Sequence, residues 1–409
     1  MIYVKDGIDI IINTYFKTAR IYDLKSHEEY NLSWTLILYL LLVDCGEEPK
    51  LKTTEKEQLA SGIKALYDNK ILTKTGSNKL SNIVRYELKK PLEKVQIEIT
   101  NKCNFNCKHC FNTQYRDNTL PLTIIKKIVD ECKRLAVRKI CLTGGEPFTH
   151  KNIKEIIDYI SLGNMQCEIY TNGYFLNEEM ISFLKAKNVA NIRLSLDGIS
   201  KEIHDSFRGC RGSFDKVIEA AKLLKHYNIP FEINTMIHKG NSSIIDVEHF
   251  VKNTIGNVHV VHDYVLNMGN AVSNYKDIGL DIDQYSNACV EHYKKQLEAG
   301  LSFDTKAKHF CGIGNNFLYI TAKGLLKICP SVRDEYNIGN IFENSIENCW
   351  NSEQAEYYEN IQCERYTLCP YKDICKGGCR SRGALLNNGH KLTSPDTVFC
   401  DIFSKLFAV

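Results

Sequence analysis

The chain has 409 residues, 44% of them hydrophobic, which is enough for two or three domain-sized cores. The net charge of +3 at pH 7 is the difference between 52 basic and 49 acidic residues, and the basic residues are not clustered. The charge pattern therefore does not favour nucleic-acid binding. The N-terminus lacks the regions of a signal peptide, and the longest apolar run, residues 36–43, is too short to span a bilayer. We therefore expect a cytoplasmic protein without a membrane partner.

The first 80 residues predict a small hairpin followed by helices. Alternating apolar runs at 3–12 and 19–24 form the hairpin, helices follow at 34–43 and 55–67, and a short strand at 71–75 closes the segment. This order resembles the winged-helix leader-peptide recognition domain of enzymes that modify ribosomally made peptides. A structural N-terminal cap is the alternative, and in either case residues 81–94 are a linker.

Strands alternate with helices from residue 95 to 268, a pattern that predicts parallel strands joined by crossovers. The predicted strands are 95–100, 139–143, 167–171, 191–196, 231–236 and 258–266. The predicted helices are 122–135, 153–161, 178–185, 214–227 and 243–253. Six units are too few for a closed eight-stranded barrel, so we expect an α/β fold, a partial (β/α)6 TIM-type barrel with its active site at the C-terminal ends of the strands.

The seventeen cysteines are unevenly distributed. Disulfides are rare in the cytoplasm, so metal or cluster ligation is the better interpretation of the two dense groups, at 103–110 and 311–400. The others stand singly in helix- or strand-like patterns and are interpreted as small buried hydrophobes. These single cysteines are Cys45, Cys132, Cys141, Cys167, Cys210, Cys289 and Cys349.

The first predicted strand leads directly into a loop with the spacing Cys103-x3-Cys107-x2-Cys110. Three thiolates can hold three irons of a [4Fe–4S] cube and leave the fourth open, whereas zinc normally takes four ligands and a redox pair needs only two. The spacing resembles that of the radical S-adenosylmethionine (SAM) superfamily. That resemblance implies that the open iron binds SAM and that His109 packs near the adenine, a surface histidine being the alternative.

Three more motifs follow the next strands: Thr143-Gly-Gly-Glu-Pro147, Thr171-Asn-Gly173 and Ser195-Leu-Asp-Gly198. Paired glycines permit close approach of the backbone to a ligand, and a carboxylate accepts hydrogen bonds from an ammonium group, although Asn-Gly and Asp-Gly are also common in turns. By the same resemblance the first motif binds the amino group of SAM, and the others bind its ribose and carboxylate. The residues assigned to SAM are His109, Gly144, Gly145, Glu146, Pro147, Asn172, Ser195, Asp197 and Arg208.

After a helical bridge at 269–304, residues 305–409 carry the second cysteine group, including Cys369-x5-Cys375-x3-Cys379. This segment resembles the SPASM domain, a C-terminal extension of peptide- and protein-modifying radical SAM enzymes that holds two auxiliary iron–sulfur clusters. We expect [4Fe–4S] clusters, and a zinc ribbon is the alternative. The resemblance implies that the first cluster is held by Cys311, Cys329 and Cys379. It implies that the ligands of the second are Cys363, Cys369, Cys375 and Cys400.

Two positions depart from the SPASM pattern. The family usually has a C-x2-C pair before the C-x5-C step, but Tyr366 occupies the expected position, and we take Cys363 as the substitute. Some members also have a cysteine six residues before Cys311, where this chain has Thr305. The first auxiliary cluster would then keep an open iron that a substrate thiolate can bind.

The combined resemblance implies that a 5'-deoxyadenosyl radical from SAM abstracts hydrogen from a precursor peptide with a leader, and that a thioether cross-link forms. The same parts could instead form carbon–carbon links, epimerise residues or oxidise a side chain, as sulfatase-maturing enzymes do. A non-enzymatic iron–sulfur carrier or zinc-binding adaptor is the more distant alternative. Flavodoxin or ferredoxin is the expected electron donor.

Overall fold

The protein is described from a computed structural model. It covers residues 2–14, 17–23, 26, 28–47, 53–76, 78–80, 84–86, 88, 90–112, 117–163, 165–300, 303, 311, 313–387 and 391–407. Across these ranges, none of the helices combines the length and the apolar character needed to cross a membrane. Position 305 lies outside the described residues, so the expectation about Thr305 remains one from sequence.

The N-terminal segment forms a small α/β unit with its own apolar core. Its elements are β1 (Tyr3–Val4), β2 (Ile8–Asn13), β3 (Thr18–Asp23), β4 (Glu29–Leu32), α1 (Trp34–Asp44), α2 (Thr53–Asp68), β5 (Leu72–Thr73) and β6 (Val84–Tyr86). Four strands pair in the order β4-β3-β2-β6, while β1 pairs with β5. The predicted first strand is divided because Gly7 turns the chain with a φ of +86°, a conformation that glycine adopts without strain.

The central segment is a row of parallel strands with helices between them. Its elements are β7 (Lys94–Thr100), α3 (Leu122–Arg134), β8 (Lys139–Gly144), α4 (Ile153–Leu162), β9 (Gln166–Thr171), α5 (Glu178–Ala186), β10 (Asn191–Ser195), α6 (Lys201–Arg208), α7 (Ser213–His226), β11 (Phe231–Ile237), α8 (Ile244–Thr254) and β12 (Val260–Tyr264). Strands β7 to β12 lie side by side in chain order, so the expected partial barrel is confirmed. Helix α6 was not predicted, because eight residues give too short an apolar pattern.

The C-terminal segment continues the same sheet. After α9 (Ala271–Ile278) and α10 (Ile282–Glu298), strand β13 (Phe317–Ile320) pairs in parallel with β7, and β14 (Leu325–Lys327) and β15 (Asn337–Asn340) extend the edge antiparallel. The remaining helices are α11 (Ile346–Trp350), α12 (Glu353–Glu359), α13 (Lys372–Cys375), α14 (Arg380–Leu386) and α15 (Thr397–Phe407).

One hydrophobic core runs from the barrel into this C-terminal segment. Leu318 and Ile320 of β13 pack in the same cluster as Ile97 of β7, and Trp350 is almost fully buried in it. The indole of Trp350 also donates a hydrogen bond to the carbonyl of Lys90, 2.9 Å away. Because the two segments share a sheet and a core, the cysteines of the C-terminal segment are fixed relative to the barrel.

Candidate active site

The loop with Cys103, Cys107 and Cys110 follows β7, and contacts from distant parts of the chain hold its backbone. The amide of Asn270 donates to the Cys110 carbonyl at 2.8 Å, and its side chain donates to the Cys107 carbonyl at 2.9 Å. Gly209, at the end of α6, lies so close that a Cβ there would be 2.4 Å from the Asn106 carbonyl oxygen. The loop is therefore held from two sides, and within it Cys103 interacts electrostatically with Cys107 and Cys110.

Burial dominates the electrostatics of these thiols. It raises the pKa of Cys103 to about 12 and that of Cys107 to about 11, with the Arg208 charge opposing the rise at Cys107. The Arg208 guanidinium donates to the Cys107 sulfur at 3.8 Å. Thiolates in this position need a positive partner, which the irons of a cluster supply.

Gly144, the last residue of β8, and Gly145 pack closely against the cysteine loop, whereas the sequence predicted close approach to a ligand. A Cβ on Gly144 would lie 2.2 Å from the carbonyl oxygen of Thr100, and one on Gly145 would lie 2.4 Å from that of Lys102. The Gly145 amide donates to Thr100 at 2.7 Å. The glycines thus admit the backbone of the cysteine loop, in addition to lining the cavity described below.

Glu146 is a buried carboxylate that joins three parts of the site. One oxygen accepts from the Thr171 hydroxyl at 2.8 Å and the Phe148 amide at 3.2 Å, and the other accepts from the Asn172 amide at 2.8 Å. Burial raises its pKa to about 7, and these hydrogen bonds oppose the rise. Asn172 in turn donates to the side chain of Asn104 in the cysteine loop, at 2.9 Å.

Asp197 and Arg208 form a buried ion pair, with the Arg208 Nε 2.5 Å from the Asp197 carboxylate. The other Asp197 oxygen accepts from the Met236 amide at 2.7 Å. Burial opposes ionisation of Asp197, but Arg208 outweighs it and holds the pKa of the carboxyl below its usual value. Asp197 thus orients Arg208, which in turn contacts the Cys107 sulfur.

His109 belongs to an aromatic stack. Its ring lies parallel to Phe207 at a centroid distance of 4.5 Å, and Phe207 stacks on His238 at 3.9 Å. Burial, reinforced by the charge of Arg208, lowers the pKa of His109 to about 3, so the ring is neutral at physiological pH. His109 is thus a neutral ring within the cysteine loop, and its contact with the adenine stays a prediction.

A cavity of about 620 Å³ at the C-terminal ends of the strands brings most of the predicted residues together. Two predicted SAM residues, Pro147 and Asp197, do not line it, and Asp197 lies behind Arg208. The three loop cysteines line the cavity, and so does Cys379 of the C-terminal segment. The predicted SAM residues that line it are His109, Gly144, Gly145, Glu146, Asn172, Ser195 and Arg208.

The C-terminal cysteines fall into the two predicted sets. Cys329 interacts electrostatically with Cys311 and Cys379, which groups these three thiols, although Cys311 itself is exposed. The four thiols of the other set line one separate cavity of about 500 Å³. That set consists of Cys363, Cys369, Cys375 and Cys400. Three thiols that interact with one another and four that line one cavity are donor sets of the kind that iron–sulfur clusters require, so the residues present fit these cofactors.

Sequence reasoning missed Arg382 and its partners, which connect the barrel to the cysteine-rich segment. Arg382 pairs with Asp396 through two hydrogen bonds of 2.8 and 2.7 Å, and Asp396 also accepts from the Cys379 amide at 2.8 Å. The guanidinium of Arg382 lies near the rings of Tyr264 and Phe399, 5.3 and 4.9 Å from their centroids. Arg382, Tyr264 and Phe399 line the main cavity, whereas Asp396 does not. In the sequence, only the closeness of Arg382 to Cys379 could have indicated that it belongs to the site.

Comparison with known protein families agrees with this geometry. Residues 97–251 match the radical SAM superfamily, and residues 311–380 match SPASM, an iron–sulfur cluster-binding domain. The chain therefore contains a radical SAM domain. It carries a SPASM domain and uses SAM and iron–sulfur clusters.

Individual relatives cover most of the chain. The antilisterial bacteriocin subtilosin biosynthesis protein AlbA of Bacillus subtilis is 28% identical, over 78% of this chain and 72% of its own. An AdoMet-dependent heme synthase of Methanosarcina barkeri is 25% identical, over 70% of this chain and 90% of its own. The crystal structure of Streptococcus suis SuiB bound to S-adenosylmethionine has a TM-score of 0.64 at 16% identity, covering 97% of this chain and 99% of that one, and a further structure holds the precursor peptide SuiA.

Proposed function

We propose that this enzyme modifies a ribosomally made precursor peptide by joining a cysteine sulfur of the peptide to one of its carbon atoms in a thioether. The observation that carries the proposal is the single cavity of about 620 Å³, which is lined by the three loop cysteines and by Cys379. A substrate in this cavity would contact both the radical site and the first auxiliary site.

The residues around the loop would hold SAM. Cys103, Cys107 and Cys110 would bind the cluster, Glu146 would accept from the amino group, and Arg208 would pair with the carboxylate while Asp197 fixes its orientation. When bound, SAM and the clusters supply a 5'-deoxyadenosyl radical and an acceptor for the electron released as the carbon–sulfur bond forms. The thiol of the peptide loses its proton when it joins the site.

A peptide substrate is supported by two features. The AlbA relative is named for bacteriocin biosynthesis, and the SuiB fold, which has been seen with a precursor peptide, extends over the N-terminal segment as well. The heme synthase relative has a different named activity. The assignment therefore depends on the shared cavity and the N-terminal unit as much as on the relatives.

Sulfur capture is supported by the ligand count at the first auxiliary site. Three cysteines, Cys311, Cys329 and Cys379, are available there, and Thr305 stands where some relatives have a fourth. A cluster with three protein ligands has one iron free for a thiolate of the substrate. An open position of this kind favours thioether formation over carbon–carbon coupling or epimerisation.

Electron paramagnetic resonance tests this proposal. A cysteine-containing precursor should perturb the spectrum of the first auxiliary cluster, and the perturbation should grow as pH rises toward the free thiol pKa of about 8.5. The same peptide with serine in place of cysteine is the control and should leave the spectrum unchanged. Thr305→Cys should suppress cross-linking, measured by mass spectrometry, while SAM cleavage continues.

If the precursor leaves the spectrum unchanged and the Thr305→Cys enzyme cross-links fully, direct sulfur capture is wrong. Carbon–carbon coupling or epimerisation would then be favoured, and the two are distinguished by mass. Coupling removes two hydrogens from the peptide, whereas epimerisation leaves its mass unaltered.

The N-terminal unit is proposed to bind the leader of the precursor. Strand β4 lies at the edge of its sheet, and Tyr30 on that strand is half exposed, so an extended leader could add there as a further strand. An enzyme lacking residues 1–80 should bind a fluorescent leader at least tenfold more weakly in an anisotropy titration. Its peptide-independent formation of 5'-deoxyadenosine is the control, and equal leader affinity with that activity intact would reduce the unit to a structural cap.

A further inference from the structure

Arg380 is a buried arginine whose hydrogen bonding is incomplete. The residue is 2% exposed, and its Nη1 donates to the carbonyls of Leu392 and Ser394, both at 3.2 Å. Its Nε and Nη2 are also buried, yet neither has a hydrogen-bond partner within the described part of the chain. A guanidinium removed from water is costly unless its remaining donors find an acceptor, preferably an anionic one.

The unpartnered side of Arg380 faces the auxiliary cysteines. A Cβ on Gly377 would lie 3.2 Å from Nη2 of Arg380 and 3.3 Å from Cβ of Cys363, so these two atoms flank the same point. Gly377 and Cys363 both line the cavity of the four-cysteine set. Arg380 also interacts electrostatically with the thiol of Cys311, and it directly follows Cys379 in the chain.

Arg380 therefore lies between the two sets of thiols proposed as cluster ligands. Among the described residues, the nearby Asp396 is already paired bidentately with Arg382, so it does not provide the missing acceptor. Iron–sulfur clusters with thiolate ligands carry net negative charge and accept N–H hydrogen bonds at sulfur. A nearby positive charge and such hydrogen bonds both stabilise the reduced, more negative form of a cluster, and therefore raise its reduction potential.

We propose that Arg380 is a positioning and tuning residue of the auxiliary clusters: it donates from Nε and Nη2 to cluster or cysteine sulfur and raises their reduction potential. The proposal depends on the cluster ligands assigned above but not on the bond that the enzyme forms in its peptide. A higher potential would make the auxiliary clusters better electron acceptors. The cluster at Cys103, Cys107 and Cys110 has its own arginine, Arg208, and should not be affected.

The test is a redox titration followed by electron paramagnetic resonance on the full-length, iron-loaded enzyme without peptide. Arg380→Gln should shift the auxiliary potentials to more negative values, and Arg380→Lys, which keeps the charge but loses the fork of donors, should give a smaller shift. Arg333→Gln removes an exposed arginine from the same segment and should leave the potentials unchanged. Carrying all variants also in a Cys103/Cys107/Cys110→Ala background isolates the auxiliary signals.

Unchanged auxiliary potentials in a fully loaded Arg380→Gln enzyme would overturn the proposal, as would an equal shift in Arg333→Gln. Iron and sulfide analysis covers the case in which Arg380→Gln fails to load. Retention of iron by Arg380→Lys alone would then support a role for the charge. Equal loss of iron from both Arg380 variants would contradict it, because the charge would not be what the clusters need.

Discussion

The two cysteine regions of this enzyme are assembled in opposite ways. The loop at Cys103, Cys107 and Cys110 is a short contiguous segment after one strand, clamped by Gly209 and Asn270. The C-terminal thiols are spread over residues 311–400 and meet only because β13 joins the barrel sheet and α15 folds back over the segment. A radical site can thus be specified by local spacing, whereas the auxiliary sites depend on the tertiary fold.

The largest effect is expected at Cys363, which we take as a cluster ligand in place of the cysteine usually found at the position of Tyr366. Cys363→Ala should remove the second auxiliary cluster, a loss of about four irons per chain. Cys132→Ala, at a fully buried cysteine on α3, is the matched control and should keep all the iron. Iron and sulfide analysis of anaerobically prepared enzyme measures both.

Tyr366→Cys in the Cys363→Ala enzyme sharpens the same comparison. Tyr366 lines the cavity of the four-cysteine set, and its amide donates to the Cys363 carbonyl at 2.9 Å. A thiol at position 366 should therefore restore part of the lost iron. Full iron in the single Cys363→Ala variant would mean that this cysteine is not a ligand.

A smaller effect concerns Glu98, which connects the two regions. Its carboxylate accepts from the Ala322 amide at 2.9 Å and from the side chain of Asn112, just after the cysteine loop. Burial raises the pKa of Glu98 from 4.5 to about 7, so the folded state retains a proton that the unfolded chain loses between these values. The contribution of Glu98 to the free energy of unfolding is therefore fully present below pH 4.5. It falls by about 3 kcal/mol as pH rises to 7.

Glu98→Gln should remove this pH dependence. The apparent melting temperature of the variant, relative to the parent, should rise between pH 5 and pH 8, because the parent alone buries a charge at the higher pH. Glu335→Gln, at an exposed position of the C-terminal segment, is the control and should show a constant difference. A constant difference for Glu98→Gln as well would mean that Glu98 does not titrate in this range.

The difference between local and tertiary features also explains which parts of the fold and of the site could be predicted from the sequence. The parallel strands and the cysteine loop depend on periodicity and spacing within short segments, and they were predicted well. Asn270, Arg380 and Arg382 act through contacts with residues distant in sequence or through burial, which no local pattern encodes. Asp197 was predicted to contact SAM, but the fold places it behind Arg208, because the buried guanidinium needs a counter-ion.

The measurement that tests the account most directly is the yield of 5'-deoxyadenosine, together with iron content, in the Cys103/Cys107/Cys110→Ala enzyme. The account predicts no detectable 5'-deoxyadenosine under anaerobic reducing conditions and retention of the iron held by the C-terminal cysteines. Continued formation of 5'-deoxyadenosine by this variant would contradict the assignment of the loop as the radical site.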